Sequence, residues 1–360
     1  MGSNSIGKIF TVTTFGESHG SHVGAVIDGC PAGITIDPDF IKKCMDRRRP
    51  GQNAFTTARN ETDAVQIISG VFQGKTTGAP IALLIENKDA RSNDYNEINK
   101  FYRPSHADFT YEQKYGFYDY RGGGRSSART TAPIVAAGAI AMHILKAKGI
   151  SVTGFVQSVG PVSLTKEHTA LDLTKTDDFP VRCPDAETAG KMMQLIEETK
   201  AKGDTVGGVI RCILKGVPAG LGDPLYDKLN ATLSKAMFSI NAVKGVSFGD
   251  GFEAARSFGS LQNDAFEKTE EGWHTRTNHS GGIQGGISNG MDIVFDVAFK
   301  PVSTLMQPQE TADKRGNTGI LQPGGRHDAC VVPRAVAIVE AFAALVLADH
   351  LLIQATLQGI

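Results

Sequence analysis

The chain has 360 residues, of which 41% are hydrophobic, so it can bury at least one large core. This content excludes a disordered chain and a small domain that depends on disulfides. The 37 Lys and Arg residues nearly balance the 38 Asp and Glu residues, which leaves no overall charge to attract nucleic acid or a membrane surface. Recognition of an anion must therefore come from local clusters of basic residues.

The predicted elements begin with short β-branched runs that are bounded by Gly and Pro. In chain order these runs predict strands at 10–14, 23–28, 65–71, 81–85, 206–214 and 292–299. A helix is predicted to open at Asp37-Pro38, where Asp is a suitable N-cap and Pro suits the first helical position. Further helices are predicted at 107–115, 127–148 and 184–202. No Pro/Ser-rich linker divides the chain, so we predict a single domain over residues 1–360.

The five cysteines are scattered and show no Cys-x-x-Cys or Cys/His metal spacing, which is typical of a reducing compartment. The N-terminal residues lack the pattern of a targeting signal, so we expect a cytoplasmic protein without a bound metal. Two apolar stretches, 133–145 and 336–353, are respectively too short and interrupted by charged residues for a membrane span. We predict that both are buried or interfacial helices.

Two segments of the chain resemble each other. Residues 26–46 and 212–237 both contain a predicted strand, a Gly-x-Pro-Ala-Gly turn, an Asp-Pro helix cap (Asp37-Pro38 and Asp223-Pro224) and a predicted helix. The likeness predicts an internal duplication, although a turn that recurs by chance would produce the same pattern. Two copies in one chain would give a layered α/β or α+β domain with pseudo-symmetry.

The segment Phe15-Gly16-Glu17-Ser18-His19-Gly20 matches the G-x-S-x-G pattern of the α/β-hydrolase nucleophile elbow. An elbow needs a helix directly after its serine, whereas residues 23–28 are predicted to be a strand, so a serine hydrolase using Ser18 is the lesser alternative. His19 on this turn is suited to donate a proton, because imidazole changes charge near pH 7. A solvated loop histidine would have the same surroundings in sequence.

Basic residues gather at three places. Arg47-Arg48-Arg49 end the first predicted helix, where they would either cap it or bind a carboxylate or phosphate. Arg103 and His106 precede the helix predicted at 107–115, whose N-terminus favours an anion. Alternatively, His106 is simply a residue next to the N-cap of this helix. The segment 120–129, YRGGGRSSAR, combines three glycines, two serines and three arginines, and therefore predicts an anion cradle. It lacks the lysine and spacing of a P-loop.

Seven segments resemble the chorismate synthase family, and the likeness runs nearly end to end. They are FGESHG (15–20), DRRRPG (46–51), RPSHADFTYEQKYG (103–116), YRGGGRSSAR (120–129), SINAVKGVSFGDGF (239–252), NHSGGIQGGIS (278–288) and GRHDACVVPRA (325–335). The resemblance implies conversion of 5-enolpyruvylshikimate 3-phosphate to chorismate, a step of the shikimate pathway toward aromatic amino acids. This reaction is a 1,4-anti elimination of phosphate that requires reduced FMN without net oxidation. The implied fold is α+β, a layered β-α-β sandwich, and the implied assembly is a homotetramer.

The resemblance also implies roles for individual residues. His19 would protonate the departing phosphate, His106 would manage the protonation of the flavin, and Asp328 would lie near flavin N5. The implied FMN-binding residues are Arg125, Ser126, Ser127, Asn241, Ala242, Gly285, Lys300, Pro301, Val302, Ser303, Thr304 and Arg326. The implied substrate-binding residues are Arg48, Arg49, Arg103, Arg129 and Arg334.

The chain departs from the family pattern at two positions. Thr130 stands where the family usually has glutamate, which raises the question of how Arg129 is held, and Ala54 replaces an arginine that would contact a nucleotide. No Rossmann fingerprint follows a strand, so we expect reduced flavin to be supplied by an external reductant. The sequence leaves open whether the chain reduces its own flavin with NADPH. The alternatives are a serine hydrolase and a noncatalytic anion-binding module.

Overall fold

The computed structural model describes residues 4–51, 62–88, 100–270, 272–321 and 328–358. The strands are β1 (Ser5–Ile6), β2 (Thr11–Phe15), β3 (His22–Asp28), β4 (Val65–Ile67), β5 (Val71–Phe72), β6 (Lys75–Thr76), β7 (Ile81–Glu86), β8 (Ser151–Val159), β9 (Val162–Ser163), β10 (Gly208–Lys215), β11 (Val243–Phe248), β12 (Phe266–Thr269), β13 (Gly272–Thr275), β14 (Ile283–Gln284), β15 (Ile287–Ser288), β16 (Ile293–Phe299), β17 (Gln309–Ala312) and β18 (Thr318–Leu321). The α-helices are α1 (Pro38–Arg48), α2 (Asp108–Tyr115), α3 (Ala132–Ala147), α4 (Ala186–Ala201), α5 (Leu229–Phe238), α6 (Gly259–Gln262) and α7 (Val332–Gln358).

Two five-stranded sheets enclose a layer of helices. The first sheet has the order β1-β2-β3-β7-β4 and the second the order β11-β16-β10-β8-β9, with every pair antiparallel. Helix α3 packs on β3 and β7 of the first sheet and also touches β8, while α7 packs on β8 and β10 of the second. The prediction of an α+β fold with β-α-β layering is therefore confirmed.

The central helices are apolar because they have a sheet or another helix on nearly every side. The stretches Arg121–Ala147 and Val332–Leu357 are long and apolar enough to cross a membrane, yet 72% and 83% of their most apolar parts are buried inside the fold. In this structure they are core helices, as predicted for 133–145 and 336–353.

Most predicted strands are confirmed to within two residues, but the strand predicted at 65–71 is wrong in its extent. The chain leaves the sheet after β4 and begins the separate strand β5 at Val71, because Gly70 adopts φ +79° and turns the backbone. The helix predicted at 127–148 likewise begins with a short 3₁₀ helix, Ala128–Thr131, before α3.

The two sheets share one topology. The chain order β2-β3-α1-β4-β7-α3 is repeated by β8-β10-α5-β11-β16-α7, and the corresponding strands have the same neighbours, β2-β3-β7-β4 and β8-β10-β16-β11. Both Gly-x-Pro-Ala-Gly turns have glycines with positive φ, at +74° and +85° in the first copy and at +73° and +105° in the second. This agreement supports the internal duplication.

The Asp-Pro pair, however, opens a helix in only one copy. Asp37 is the N-cap of α1 and accepts hydrogen bonds from the backbone N–H groups of Asp39 and Phe40. In the second copy α5 begins at Leu229 with Lys228 as its N-cap, so the predicted cap at Asp223-Pro224 is wrong. The reason is a turn, closed by a 3.3 Å bond from Asp223 N to the carbonyl of Asp227, that precedes the helix.

Helices α3 and α7 approach each other closely at Gly138. A Cβ atom at this position would lie 2.4 Å from the Cβ and 2.6 Å from the Cα of Ala341. Gly138→Ala is therefore expected to lower the free energy of unfolding by about 1 to 3 kcal/mol, the usual cost of overpacking. Urea denaturation followed by circular dichroism measures this change.

Gly190 in α4 provides the matched control, because a Cβ there would meet nothing within 4 Å. Gly190→Ala is expected to raise the free energy of unfolding by about 0.4 to 1 kcal/mol, since alanine restricts the unfolded chain. Effects of the same sign at both positions would contradict the close helix crossing.

Candidate functional site

A glycine loop separates two histidines that are distant in sequence. A Cβ at Gly122 would lie 2.5 Å from Cδ2 of His19, and a Cβ at Gly123 would lie 3.5 Å from Cε1 and 3.8 Å from Nε2 of His106. Both glycines have positive φ, +59° and +82°, which other residues rarely adopt. The loop thus brings the two predicted catalytic imidazoles to one place.

His19 lies on a tight turn between β2 and β3. Ser18, beside it, is 1% exposed, and its Oγ has no hydrogen-bond partner in the described part of the chain. Residue 22 already begins β3, so no helix follows the serine and the nucleophile elbow is absent. The turn therefore presents an imidazole and a buried hydroxyl to the glycine loop, without the geometry of a serine hydrolase.

His106 is held by a carboxylate that also binds an arginine. Its Nδ1 lies 2.7 Å from Oδ1 of Asp108, and Arg103 donates to both carboxylate oxygens of Asp108 over 2.7 and 2.6 Å. Burial opposes ionisation of Asp108, but the hydrogen bonds from Arg103 and His106 outweigh it and hold the pKa well below its usual range. The imidazole therefore lies directly beside a charged carboxylate.

Two further arginines share one buried carboxylate, that of Asp63. Arg48 donates to it over 2.8 Å, and Arg129 donates to its other oxygen. Arg129 also donates to Oδ1 of Asn87 over 2.7 Å and to the carbonyl of Glu86 over 3.0 Å. Arg129 is therefore held without the glutamate that the family usually has at position 130. Asp63, which lies between α1 and β4, holds it instead.

The third arginine of this group, Arg334, extends the positive charge. It donates to Asp328 over 2.5 Å and to the backbone carbonyl of Arg48 over 3.1 Å. Burial, together with the nearby charges of Arg334 and Arg129, lowers the pKa of Arg48 to about 10 against the opposing effect of Asp63. Three guanidinium groups with two carboxylates form a site suited to an anion.

The three arginines that end α1 have separate surroundings. Arg47 binds Glu340 of α7 and lies 3.0 Å from Asp177, which makes it a structural residue. Arg48 joins the buried cluster described above. Arg49 lies 3.1 Å from Asp46 within the same helix end and is partly exposed. The segment therefore serves both packing and the anion-binding cluster.

The predicted FMN-binding residues form one side of the site through backbone contacts. Asn241 donates from Nδ2 to the carbonyl of Ser126 over 2.7 Å, and Lys300 N donates to the carbonyl of Ala242 over 2.9 Å. The neighbouring Ser127 is the N-cap of the short helix before α3 and accepts from Arg129 N over 3.3 Å. The loops of the second sheet therefore meet the glycine loop of the first.

The run from Lys300 to Thr304 extends the predicted FMN-binding side of the site toward His106. The ammonium of Lys300 donates to Oγ of Ser303 over 2.6 Å, and Ser303 donates to the carbonyl of Ser105 over 2.8 Å. The carbonyl of Val302 accepts from Thr205, while Thr304 is buried. Pro301 accepts from Lys300, so the run is folded back on itself beside the histidine loop.

Two other predicted FMN-binding residues stand apart. Arg125 is turned toward β2, where it donates to Oγ1 of Thr14 over 2.9 Å and to the carbonyl of Gly16 over 3.2 Å. Gly285 lies in the β14–β15 hairpin, and the described hydrogen bonds do not join it to the glycine loop. Arg326 lies outside the described residues, as does Ala54.

Three polar residues that contact the arginines or His106 were not predicted from the sequence. They are Asp63, Asn87 and Asp108. The available signals were weak: Asn87 lies two residues after the strand predicted at 81–85, and Asp63 lies two residues before the one predicted at 65–71. Among the described residues, no group of three His, Cys, Asp or Glu side chains is arranged to hold a metal ion.

Comparison with known proteins identifies the class of enzyme. The family model described as chorismate synthase matches residues 10–352. Chorismate synthases of Christiangramia forsetii and Cytophaga hutchinsonii are 56% and 55% identical to this chain, covering 98% and 97% of it and 98% of each relative. A crystal structure of a chorismate synthase superposes with a TM-score of 0.78 at 32% identity, covering 97% of this chain and 93% of that one.

These likenesses make the protein a lyase, an enzyme that removes phosphate from its substrate. The chain belongs to the chorismate synthase family.

Proposed function

We propose that the protein converts 5-enolpyruvylshikimate 3-phosphate to chorismate by 1,4-anti elimination of phosphate, with reduced FMN and without net oxidation. The observation that carries this proposal is the meeting of His19 and His106 at one glycine loop, beside the buried guanidinium groups of Arg48 and Arg129. Family membership supports the substrate and the cofactor.

The substrate has one phosphate and two carboxylates, so it needs several arginines in a local cluster. A guanidinium has five N–H donors, and the described hydrogen bonds use three positions on Arg48 and three on Arg129. Each therefore keeps N–H donors for an anion while its orientation is fixed. Arg49, Arg103 and Arg334 would complete the set of substrate-binding residues.

Proton transfer is assigned to the two imidazoles. His19 would give its proton to the departing phosphate, because its ring lies against the glycine loop and is only partly buried, which allows it to exchange protons. His106 would donate or accept a proton beside the flavin, since its Nδ1 lies beside Asp108 and its Nε2 lies on the side of Gly123. Asp328 would act near the flavin through its pair with Arg334.

The residues present fit a flavin. Gly122 and Gly123 let the loop backbone lie against both imidazoles, since a Cβ at Gly122 would come within 2.5 Å of the His19 ring, and the buried Oγ of Ser18 has a hydrogen-bonding capacity that the described residues do not use. Ser126, Ser127, Asn241, Ala242, the run Lys300–Thr304, Arg125 and Arg326 would hold the cofactor, with Gly285 supplied by the β14–β15 hairpin. When bound, reduced FMN supplies electron density for loss of phosphate and takes it back as the C6 hydrogen leaves.

We further propose that the enzyme is cytoplasmic, assembles as a homotetramer and receives reduced flavin from an external reductant. Its partners would be the small-molecule substrate and this reductant, without nucleic acid or membrane. The family likeness supports this setting.

An anaerobic assay with 5-enolpyruvylshikimate 3-phosphate and photoreduced FMN tests the proposal. We expect chorismate, followed by its absorbance, and inorganic phosphate to appear in equal amounts, and neither to appear with oxidised FMN. Phosphate without chorismate would indicate a phosphatase. Absence of turnover while FMN binds would limit the assignment to the fold and the cofactor.

A further inference from the structure

The turn that carries His19 is closed at both ends. Gly20 N donates to the carbonyl of Glu17 over 3.1 Å, so Ser18 and His19 occupy the two central positions of a four-residue turn. Ser18 N donates to the carbonyl of Gly124 over 3.4 Å, which attaches the turn to the glycine loop. The position of the imidazole thus depends on how firmly this turn is held.

Asn87 holds the turn from the neighbouring strand end. It directly follows β7, and its Nδ2 donates to the carbonyls of Glu17 and Gly20 over 3.1 and 2.8 Å. Its backbone N–H also donates to the carbonyl of Ser21 over 3.0 Å. The side-chain amide therefore engages the carbonyls on either side of the Ser18-His19 pair.

The same side chain engages Arg129. Oδ1 of Asn87 accepts from Nε of Arg129 over 2.7 Å, and the preceding carbonyl, that of Glu86, accepts from another nitrogen of the same guanidinium over 3.0 Å. An asparagine carries two donors and one acceptor on a short arm. Here the donors go to the histidine turn and the acceptor goes to the arginine, so one residue joins the two.

We propose that Asn87 is a positioning residue that fixes the distance between His19 and the guanidinium of Arg129. This inference rests on the proposed function, in which the imidazole must meet the phosphate of an anion that the arginines bind. A misplacement of roughly 1 Å at such a site costs about 100-fold in rate, so a single amide that sets this distance has a large effect.

Asn87→Asp tests the proposal, because it keeps the size of the side chain and the acceptor for Arg129 but places a carboxylate against two carbonyl oxygens. We expect kcat to fall by about 10-fold to 100-fold through displacement of the turn. The Kd for the substrate, measured with oxidised FMN, should rise by no more than about tenfold, because the contact to the arginine remains while the added negative charge opposes an anion.

A double-mutant cycle shows whether the effect passes through the histidine. In a chain that already carries His19→Ala, Asn87→Asp is expected to lower kcat no further. Gln157→Glu is the control, since the amide of Gln157 also donates to a carbonyl, that of Leu164, but lies in β8 of the second sheet. It should leave kcat unchanged.

Hydrogen exchange provides a readout that does not depend on turnover. Without any ligand, Asn87→Asp is expected to speed amide exchange within residues 16–21 roughly tenfold, whereas Gln157→Glu should not. Unchanged exchange there, or an equal loss of kcat in both backgrounds of the cycle, would overturn the proposal. A wild-type chain that makes no chorismate would instead overturn the proposed function, and exchange would still decide whether Asn87 holds the turn.

Discussion

His106→Ala is expected to lower kcat by about 100-fold to 10,000-fold, the usual range for a general acid or base, while the substrate still binds. The imidazole faces Gly123 with its Nδ1 beside Asp108, so its removal deletes a proton-transfer group without removing any contact of the cluster formed by Arg48, Arg129 and Arg334. His19→Ala is expected to have an effect of the same order, because this ring lies on the other glycine of the loop. Anaerobic assays of kcat, with Kd measured separately, check both.

His274→Ala is the matched control for these variants. Nε2 of His274 lies 2.7 Å from Glu267 in the β12–β13 hairpin, away from the glycine loop. We expect its kcat to equal that of the wild type. Full activity of either site variant would remove that histidine from the mechanism, and full activity of both would remove the acid–base assignment altogether.

Asp63→Asn is expected to lower the free energy of unfolding by about 3 to 5 kcal/mol, the usual cost of breaking a buried ion pair on one side. The carboxylate is buried and pairs with both Arg48 and Arg129, so its loss leaves two buried charges without their partner. Urea denaturation at pH 7 measures the effect. Because the same arginines would bind the substrate, we also expect Kd to rise.

The stability effect of Asp63 should depend on pH in a defined direction. Burial opposes its ionisation, but the charges of Arg48 and Arg129 outweigh burial and lower the pKa below its value in the unfolded chain. A lowered pKa contributes stability above the unfolded value of about 3.9, and this contribution is lost as pH falls below it. The difference between wild type and Asp63→Asn should therefore be complete at pH 7 and shrink below about pH 4.

Glu187→Gln is the control for this experiment. Glu187 pairs with Lys191 over 2.6 Å on the exposed face of α4. Such an exposed pair contributes little to stability because solvent screens it, so the variant should unfold nearly as the wild type does at both pH values. An Asp63→Asn variant as stable as this control would show that the buried pair does not stabilise the fold.

Much of the local structure could be predicted because it depends on neighbouring residues. The strand at 81–85 and the cap at Asp37-Pro38 follow from alternation and from N-cap chemistry, and both are confirmed. The cap at Asp223-Pro224 failed because a turn precedes α5, and tertiary contacts decide where such a turn ends. Local patterns therefore gave the elements but not all of their boundaries.

Only part of the candidate site could be predicted from the sequence. The glycine loop and its arginines stood out because their composition is unusual over ten residues. Asp63 and Asn87 escaped notice because each is a single polar residue near the end of a strand, and its importance arises only when distant connections meet. Contacts across such a distance in sequence depend on the pairing of β3 with β7 and on the position of α3, which no local pattern specifies.

The shared topology of the two sheets also bears on the history of the site. Its residues come from matching connections of the two halves: α1–β4, with Asp63, corresponds to α5–β11, with Asn241, and β7–α3, with His106, corresponds to β16–α7, with Lys300. This is the pattern that duplication and fusion of a half-length gene leave when two identical loops diverge. Under the proposed function, the first copy came to carry both histidines, and the second came to carry most of the residues that would hold the cofactor.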